Sequence, residues 1–420
     1  MDYICDMNSM KRLLLIAALV SATITAAAQP DDVQAYKSVY RIFDFEAVPQ
    51  TPAPKGYKPF YISHYSRHGA RFHTSETAYT NVIEALRKAD EAGVLTPYGK
   101  TVLQKSEAYF ELAKGRYGDL TSLGWKQQKH NAWQLYDLYP EIFRKNPEIT
   151  ACSSLHTRCI MSMSAFCMGL KEKNPKLNIY EDATRVLLDE VRPKDPENVN
   201  YRGNKNVPSP YMPYDEFYAS RIPESEPVAI LSRIISDPKY ITDKVDARKL
   251  SMELYSFTVG MGCAETDLAI DDLFTEKELA DYYEVFNFSF FNSGGISRFG
   301  TIPVIQCMVA DAEKDINSDG YYVRLRFGHD TIMQGFLAIL KADGFIVPEK
   351  ETELVSSWKT SHTPMAANFQ LVFYRSKKSD RILFKPVLNG YEIHLNVIEP
   401  VEFPYYDFED LKAFASALEP

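Results

Sequence analysis

Cysteine is scarce: of six in 420 residues, five lie beyond the N-terminal apolar run, at Cys152, Cys159, Cys167, Cys263 and Cys307. An odd number with no CxxC pair excludes a complete disulfide framework and a zinc ribbon. An oxidising compartment would permit a bridge between Cys263 and Cys307, though free buried thiols suit the five better. A surplus of positive charge is also missing, since 47 Lys and Arg face 56 Asp and Glu for a formal net charge of −9. Nucleic-acid binders need a basic footprint, so no nucleic-acid partner is expected. Beyond the N-terminus no apolar run approaches the ~20 residues that span a bilayer, so no membrane span is expected. Internal repeats are absent too. What is present, 45% hydrophobic and 25% charged residues, is ordinary globular composition with apolar material for a sizeable core.

Residues 10–28, MKRLLLIAALVSATITAAA, combine Lys11 and Arg12, an apolar run from Leu13 and an Ala26-Ala27-Ala28 cleavage site before Gln29. That three-part pattern reads as a signal peptide over 1–28 and predicts a periplasmic or secreted protein. Its removal takes Asp2, Asp6, Lys11 and Arg12 together and leaves the charge at −9. Residues 29–58, polar and Pro-rich, read as a leader crossing the surface. Strands are expected at Phe60 to Ser66, 148–154, 177–182 and 321–330, with NFQLVFYR and ILFKPVLNGYEIHL as two more joined by a turn. Helices are expected over 76–93, ended by Gly93, over 120–143, from 156 to 173, and after Asp330. Strand and helix alternate at both ends of the chain and helices fill the middle, which predicts an α/β core with a helical insertion. The core is assigned to 29–185 and 311–420, with a helical excursion about 72–118, and a mainly helical cap to 186–310.

The stretch YISHYSRHGARFHT (61–74) concentrates two arginines and three histidines at the end of a strand. A metal is the first reading to test. On a strand rising about 3.3 Å per residue, His64 and His68 lie roughly 13 Å apart and cannot share an ion. His64 reads as a satisfied polar residue on a strand face. Arg67, His68 and Arg71 differ, because Gly69 lets the backbone bend and the carboxyl ends of strands in open α/β sheets are where ligands bind. Two guanidiniums there offer bidentate hydrogen bonds to a tetrahedral oxyanion such as phosphate. Their charge would also keep a histidine between them neutral and nucleophilic. A solvated basic turn is the alternative. The pair His329-Asp330 likewise follows a strand, VRLRF, and precedes an apolar helical run, where Asp330 alone reads as a helix N-cap.

RHGAR (67–71) resembles the RHG-x-R signature of the histidine acid phosphatases, a branch of the histidine phosphatase superfamily that includes acid phosphatases, phytases and multiple inositol polyphosphate phosphatases. GDLTSLGWKQQ (118–128) resembles the family's LT-x-x-G-x-x-Q helix start, and CSSLHTRCIMSMSAFCMGL (152–170) its strand-to-helix segment with a third arginine, Arg158. RFGHDTIMQGFL (326–337) resembles the C-terminal His-Asp motif and KPVLNG (385–390) the strand-turn after it. The resemblance implies a three-layer α/β sandwich of phosphoglycerate-mutase-like type with an inserted helical cap, and no cofactor or metal. It implies His68 as nucleophile, Asp330 as proton donor, and Arg67, Arg71, Arg158 and His329 as phosphate ligands. The expected substrate is a small phosphate ester, an inositol phosphate such as phytate or a sugar phosphate. The motifs divide on which. Multiple inositol polyphosphate phosphatases typically carry His-Ala-Glu where this chain has His329-Asp330-Thr331, and His73 and Thr74 stand where a proline often follows the signature. Lys105, Lys114, Arg116, Lys129, Arg202 and Lys205 are candidate cations for a highly phosphorylated inositol, or simply solvated faces. A broad acid phosphatase or glucose-1-phosphatase is the nearest alternative. A phosphotransferase or mutase, and a phospholigand-binding protein without turnover, are the alternatives from other classes.

Overall fold

The computed structural model describes residues 33–42, 48–201, 208–318 and 320–419. The signal-peptide segment 1–28 and the candidate cations Arg202 and Lys205 lie outside the described residues. One mixed sheet of eight strands organises the rest: β1 (Tyr57–Arg67), β2 (Glu148–Ser153), β3 (Ile179–Asp182), β4 (Tyr322–Gly328), β5 (Asn368–Ser376), β6 (Ser379–Leu388), β7 (Tyr391–Glu392) and β8 (Tyr406–Asp407). Their order is β3-β2-β4-β1-β5-β6-β7, with β8 also paired to β6. β3, β2, β4 and β1 run parallel, and β5 and β6 continue antiparallel. The parallel register sets Arg67 opposite Gly328 and Ser153 opposite Phe327, so the carboxyl ends of three strands share one edge.

The principal helices are α1 (Thr77–Glu91), α2 (Pro97–Ala113), α3 (Ser122–Leu138), α4 (Thr157–Lys173), α5 (Ala247–Met261), α6 (Glu276–Phe291), α7 (Ile302–Ile316), α8 (Asp330–Ile339) and α9 (Phe408–Ser416). Gly93, at φ +71°, follows α1 where an L-residue would be strained, and ends the helix as its position suggests. The strand period of two sorts the layers. Ile62, Ile149, Val323, Leu325 and Val372 face α3 and α4, where Leu135, Phe166 and Leu170 complete one buried core. Tyr61, Tyr65, Leu371 and Phe373 face the other way and join a second core that includes Met333 and Phe336 of α8, Val304 of α7 and Leu411 of α9. Helices on both faces of one sheet make the three-layer sandwich. From Leu188 to Ile316 every regular element described is helical, and Leu254 and Phe257 of α5 share the second core with Val82 and Leu86 of α1. α7 runs through residue 310 and packs on the sheet.

Arg324 and Arg326 alternate with the apolar residues of β4 and so fall on the α7 face, 8% and 0% exposed. Asp315 of α7 takes Arg324 through both oxygens at 2.7 and 2.8 Å, while Glu190 lies 3.0 Å from Arg326 Nε and Asp311 closes its other side. Buried charges persist when paired in this way. The segment Val33–Tyr40 differs from the expected surface leader: Ser38 and Val39 are fully buried beneath the carboxyl edge of the sheet. All five described cysteines are free thiols, Cys263 and Cys307 included. Among the described residues no helix is long and apolar enough to cross a membrane.

Candidate active site

β1 delivers Arg67 and His68 to the shared edge, and the turn after it is held from outside. Thr121, the N-cap of α3, receives the Gly124 amide at 3.3 Å and donates its own amide to the Ala70 carbonyl at 2.9 Å. Gln127 Oε1 accepts from the Ala70 amide at 2.9 Å, Gln128 Nε2 donates to the Arg67 carbonyl at 2.8 Å, and the Gly69 amide donates to Ser162 Oγ of α4 at 3.0 Å. Gly69 is not in a left-handed conformation. A Cβ there would lie 2.3 Å from the Gly124 carbonyl oxygen, and one on Gly124 would lie 2.3 Å from that of Ala70. Glycine at both positions therefore serves close approach of loop and helix, not a bend. A Gly124→Ala protein is expected to lose about 1–3 kcal/mol of stability to overpacking and a larger share of its turnover, because the clash is backbone against backbone. Wild-type kinetics in that variant would contradict the packing account.

The six expected residues gather at this edge. His68 is 2% exposed, and its Nδ1 lies 2.9 Å from the Gly69 carbonyl, so the proton sits on Nδ1 and Nε2 keeps a free lone pair. Burial first, then the charges of Arg67, Arg158 and Arg71, hold this imidazole neutral well below the usual histidine range. Arg67 is fully buried; Nη1 donates to the carbonyls of Val39 and Thr363, and Nη2 lies 2.7 Å from Asp330 Oδ2 in an ion pair without a well-aligned hydrogen bond. Arg71 donates Nη1 to the Phe72 carbonyl at 2.9 Å and lies over the Tyr40 ring. His329 stands edge-on to His68 with ring centroids 5.7 Å apart, and Ser154 Oγ meets its Nε2 at 3.0 Å. Burial, then Arg158 and Arg192, keep His329 neutral as well. His329, not Asp330, is the N-cap of α8; Asp330 occupies the first helical position and accepts the Thr331 amide through Oδ1 at 2.7 Å.

Arg67, Arg71 and Arg158 each keep a buried Nε–H with no acceptor among the described residues. Such a donor costs about 1–3 kcal/mol unless something accepts from it, and three such arginines around His68 suit an anion rich in acceptors. Beside them opens a cleft of about 530 Å³ lined by Tyr117, His156, Arg158, Arg192, Asp195 and Glu197. Arg192 donates to Asp195 at 2.8 Å, approaches His156 at 3.1 Å and also lines a second cleft of about 930 Å³ with Lys194, Tyr211 and Thr331. Burial pulls the Lys194 ammonium down to about 8.

Sequence reasoning did not assign Gln127, Gln128, Ser162, His156 or Arg192. The first could have been taken from the LT-x-x-G-x-x-Q spacing; Arg192 carries no local signal. Of the candidate cations, Lys105 is spent on the Ala269 carbonyl, Lys114 pairs with Glu111 and Lys129 with Glu172, while exposed Arg116 covers the Phe72 ring.

His64 and His73 are structural neighbours of the site. His64 packs between Phe166 and Phe327, and His73 among Tyr40, Tyr79, Tyr109 and Phe257. Burial, helped by Arg326 and Arg71 respectively, pushes each down to about 3. A depressed folded value against an ordinary unfolded one near 6.5 means the unfolded chain binds protons first. Stability is then complete above pH ~6.5 and falls toward pH 3 by up to about 1.4 kcal/mol per pH unit for each such histidine. His64→Leu should flatten the slope of unfolding free energy between pH 6 and 4 by about that amount; an unchanged slope would contradict the assignment.

The sequence model for the histidine phosphatase superfamily, branch 2, matches residues 65–389. The chain belongs to this family, and is a phosphomonoester hydrolase of the histidine acid phosphatase type. Its fold is shared by the multiple inositol polyphosphate phosphatase of Bifidobacterium longum in complex with inositol hexasulfate, at 17% identity and TM-score 0.68 over 93% of this chain and 96% of that one. The phytase from D. castellii matches at 14% identity and TM-score 0.70 over 95% and 88%, and the phytase from Citrobacter braakii at 13% and 0.56 over 86% and 98%. No curated protein is matched by sequence.

Proposed function

We propose that this protein is an exported phosphatase that hydrolyses inositol phosphates, phytate among them, through a phosphohistidine at His68. The observation that carries the reading is that three arginines whose charges reach a neutral His68 each keep a buried Nε–H without an acceptor among the described residues, while the Nδ1 of that histidine is taken by the Gly69 carbonyl. In the first step Nε2 attacks phosphorus, the bond from phosphorus to the ester oxygen breaks, and Asp330 gives its proton to the leaving alkoxide. In the second, water attacks the phosphohistidine, the N–P bond breaks, and Asp330 takes the proton from water. Arg67, Arg71 and Arg158 hold the equatorial oxygens, and neutral His329, with Ser154 on its Nε2, adds an N–H from Nδ1. Asp330 must be protonated before the first step. Because His68 stays neutral below its usual range, mild acidity does not silence the nucleophile.

Support for inositol phosphates comes from the names of the proteins that share the fold and from Arg192 and Lys194 along the two clefts, cations within reach of phosphates that do not react. Export rests on the 10–28 pattern and predicts a mature chain beginning at Gln29. The test is a panel at mildly acidic pH. Phytate should show the highest kcat/KM, above glucose 1-phosphate, nucleotides and phosphotyrosine, with free phosphate as product. Equal turnover of all four would replace this substrate by a broad specificity, and transfer of the phosphoryl group to a sugar would make the protein a phosphotransferase.

A further inference from the structure

Of the three clamp arginines, Arg67 has an acid to face, and Arg158 lies on the wall of the cleft. Arg71 has neither. Among the described residues its one side-chain hydrogen bond is Nη1 to the Phe72 carbonyl, which leaves the plane of the guanidinium to be set by what lies under it. That is Tyr40, whose ring centroid is 5.4 Å from Arg71 Cζ and whose hydroxyl lies beside the guanidinium and favours its charged form. Tyr40 comes from a separate stretch of chain. Its segment is pinned by Ser38 Oγ to Thr360 Oγ1 at 2.6 Å and by the Tyr36 carbonyl, which accepts from Tyr255 at 2.6 Å. The next carbonyl back, Val39, accepts from Arg67.

The Tyr40 hydroxyl has a second neighbour, His73 Nδ1 at 3.5 Å, with the two rings 5.5 Å apart. His73 is held on every side. Its amide donates to Tyr79 Oη at 2.9 Å, its carbonyl accepts from Gly118 at 2.8 Å, and its ring stacks parallel to Phe257 and edge-on to Tyr79 and Tyr109. A Cβ on Gly260 would lie 2.3 Å from His73 Cε1, so the helix α5 is cut back to admit this ring. A neutral imidazole so enclosed cannot turn away, and it presents Nδ1 to the Tyr40 hydroxyl, with the direction of that hydrogen bond set by the tautomer.

We infer that Tyr40 and His73 are positioning residues of the phosphate clamp: His73 orients the Tyr40 hydroxyl, and Tyr40 orients the Arg71 guanidinium toward a phosphoryl oxygen. The inference rests on the reading of Arg71 as a phosphate ligand. Neither residue touches the reacting atoms. The hydroxyl is the link through which both act, so their effects on the clamp are shared and not independent.

The experiment measures inhibition by inorganic phosphate, with kcat and KM for p-nitrophenyl phosphate and the melting temperature alongside. Tyr40→Phe keeps the ring under Arg71 and removes the hydroxyl; His73→Leu removes Nδ1; His73→Asn restores a polar group near the place of Nδ1. Tyr40→Phe and His73→Leu should each raise Ki for phosphate about three- to tenfold, the scale of one hydrogen bond. The double variant should lose no more than the worse single, and His73→Asn should recover most of the loss. Unmoved Ki in a folded Tyr40→Phe protein overturns the inference, as do losses that multiply in the double variant. If His73→Leu does not fold, Tyr40→Phe alone decides, since it leaves the aromatic box intact. A wild-type protein that phosphate does not inhibit overturns the clamp itself, and this inference with it.

Discussion

Turnover by the His68→Ala protein is expected to fall by at least about four orders of magnitude for every phosphate ester, the scale on which loss of a covalent nucleophile is felt. The melting temperature should stay within a few degrees. The loop around His68 is held through backbone groups by Ser162, Thr121, Gln127 and Gln128, none of which needs the imidazole. Removing the ring takes a neutral group from among three arginines and leaves no charge without its counterion. Phosphate should still bind, because the guanidiniums remain, and an alanine protein that binds phosphate without hydrolysing esters separates binding from attack. Activity retained in His68→Ala would end the covalent mechanism.

Asp330→Asn should divide substrates by leaving group. Esters of alcohols, which need a proton as they depart, should slow by about 10²- to 10⁴-fold, the usual contribution of a general acid. p-Nitrophenyl phosphate, whose leaving group departs without help, should slow far less. The same change removes the carboxylate 2.7 Å from buried Arg67. Phosphate should then bind more tightly, since it no longer competes with an internal anion, and the free protein should be less stable because Arg67 has lost its ion-pair partner. Equal slowing of both substrate types would remove Asp330 from the role of acid.

Much of this arrangement was legible in the sequence because it depends on local pattern. Apolar alternation marked β1, β2 and β4, and helical spacing marked α1, α3 and α8, while the motif residues at strand ends pointed to one edge. What was not legible depends on contacts between distant parts of the chain. Val33–Tyr40 is polar and close to prolines, so it reads as surface, yet Arg67 and Thr360 draw it inward. Arg324 and Arg326 look out of place in a buried strand until Asp311 and Asp315 of α7 and Glu190 come to meet them. Gly69 reads as a bend because glycine bends easily; only the approach of Gly124 shows that the missing Cβ is what matters. Lys105 and Lys129 are cations by composition, and their partners Ala269 and Glu172 lie too far along the chain for spacing to show. Arg192 reaches the cleft because the short helical stretch Arg185–Val191 after β3 carries it there, and no periodicity encodes that path.

The central claim is a covalent bond between His68 and the phosphoryl group, and rapid acid-free quenching of the enzyme during turnover of a labelled ester, followed by peptide mass analysis, tests it directly. The account predicts an acid-labile, alkali-stable phosphoryl group on the peptide containing His68, formed faster than product phosphate appears in the steady state and absent in His68→Ala. Turnover with no labelled protein, or label on any other residue, would contradict it.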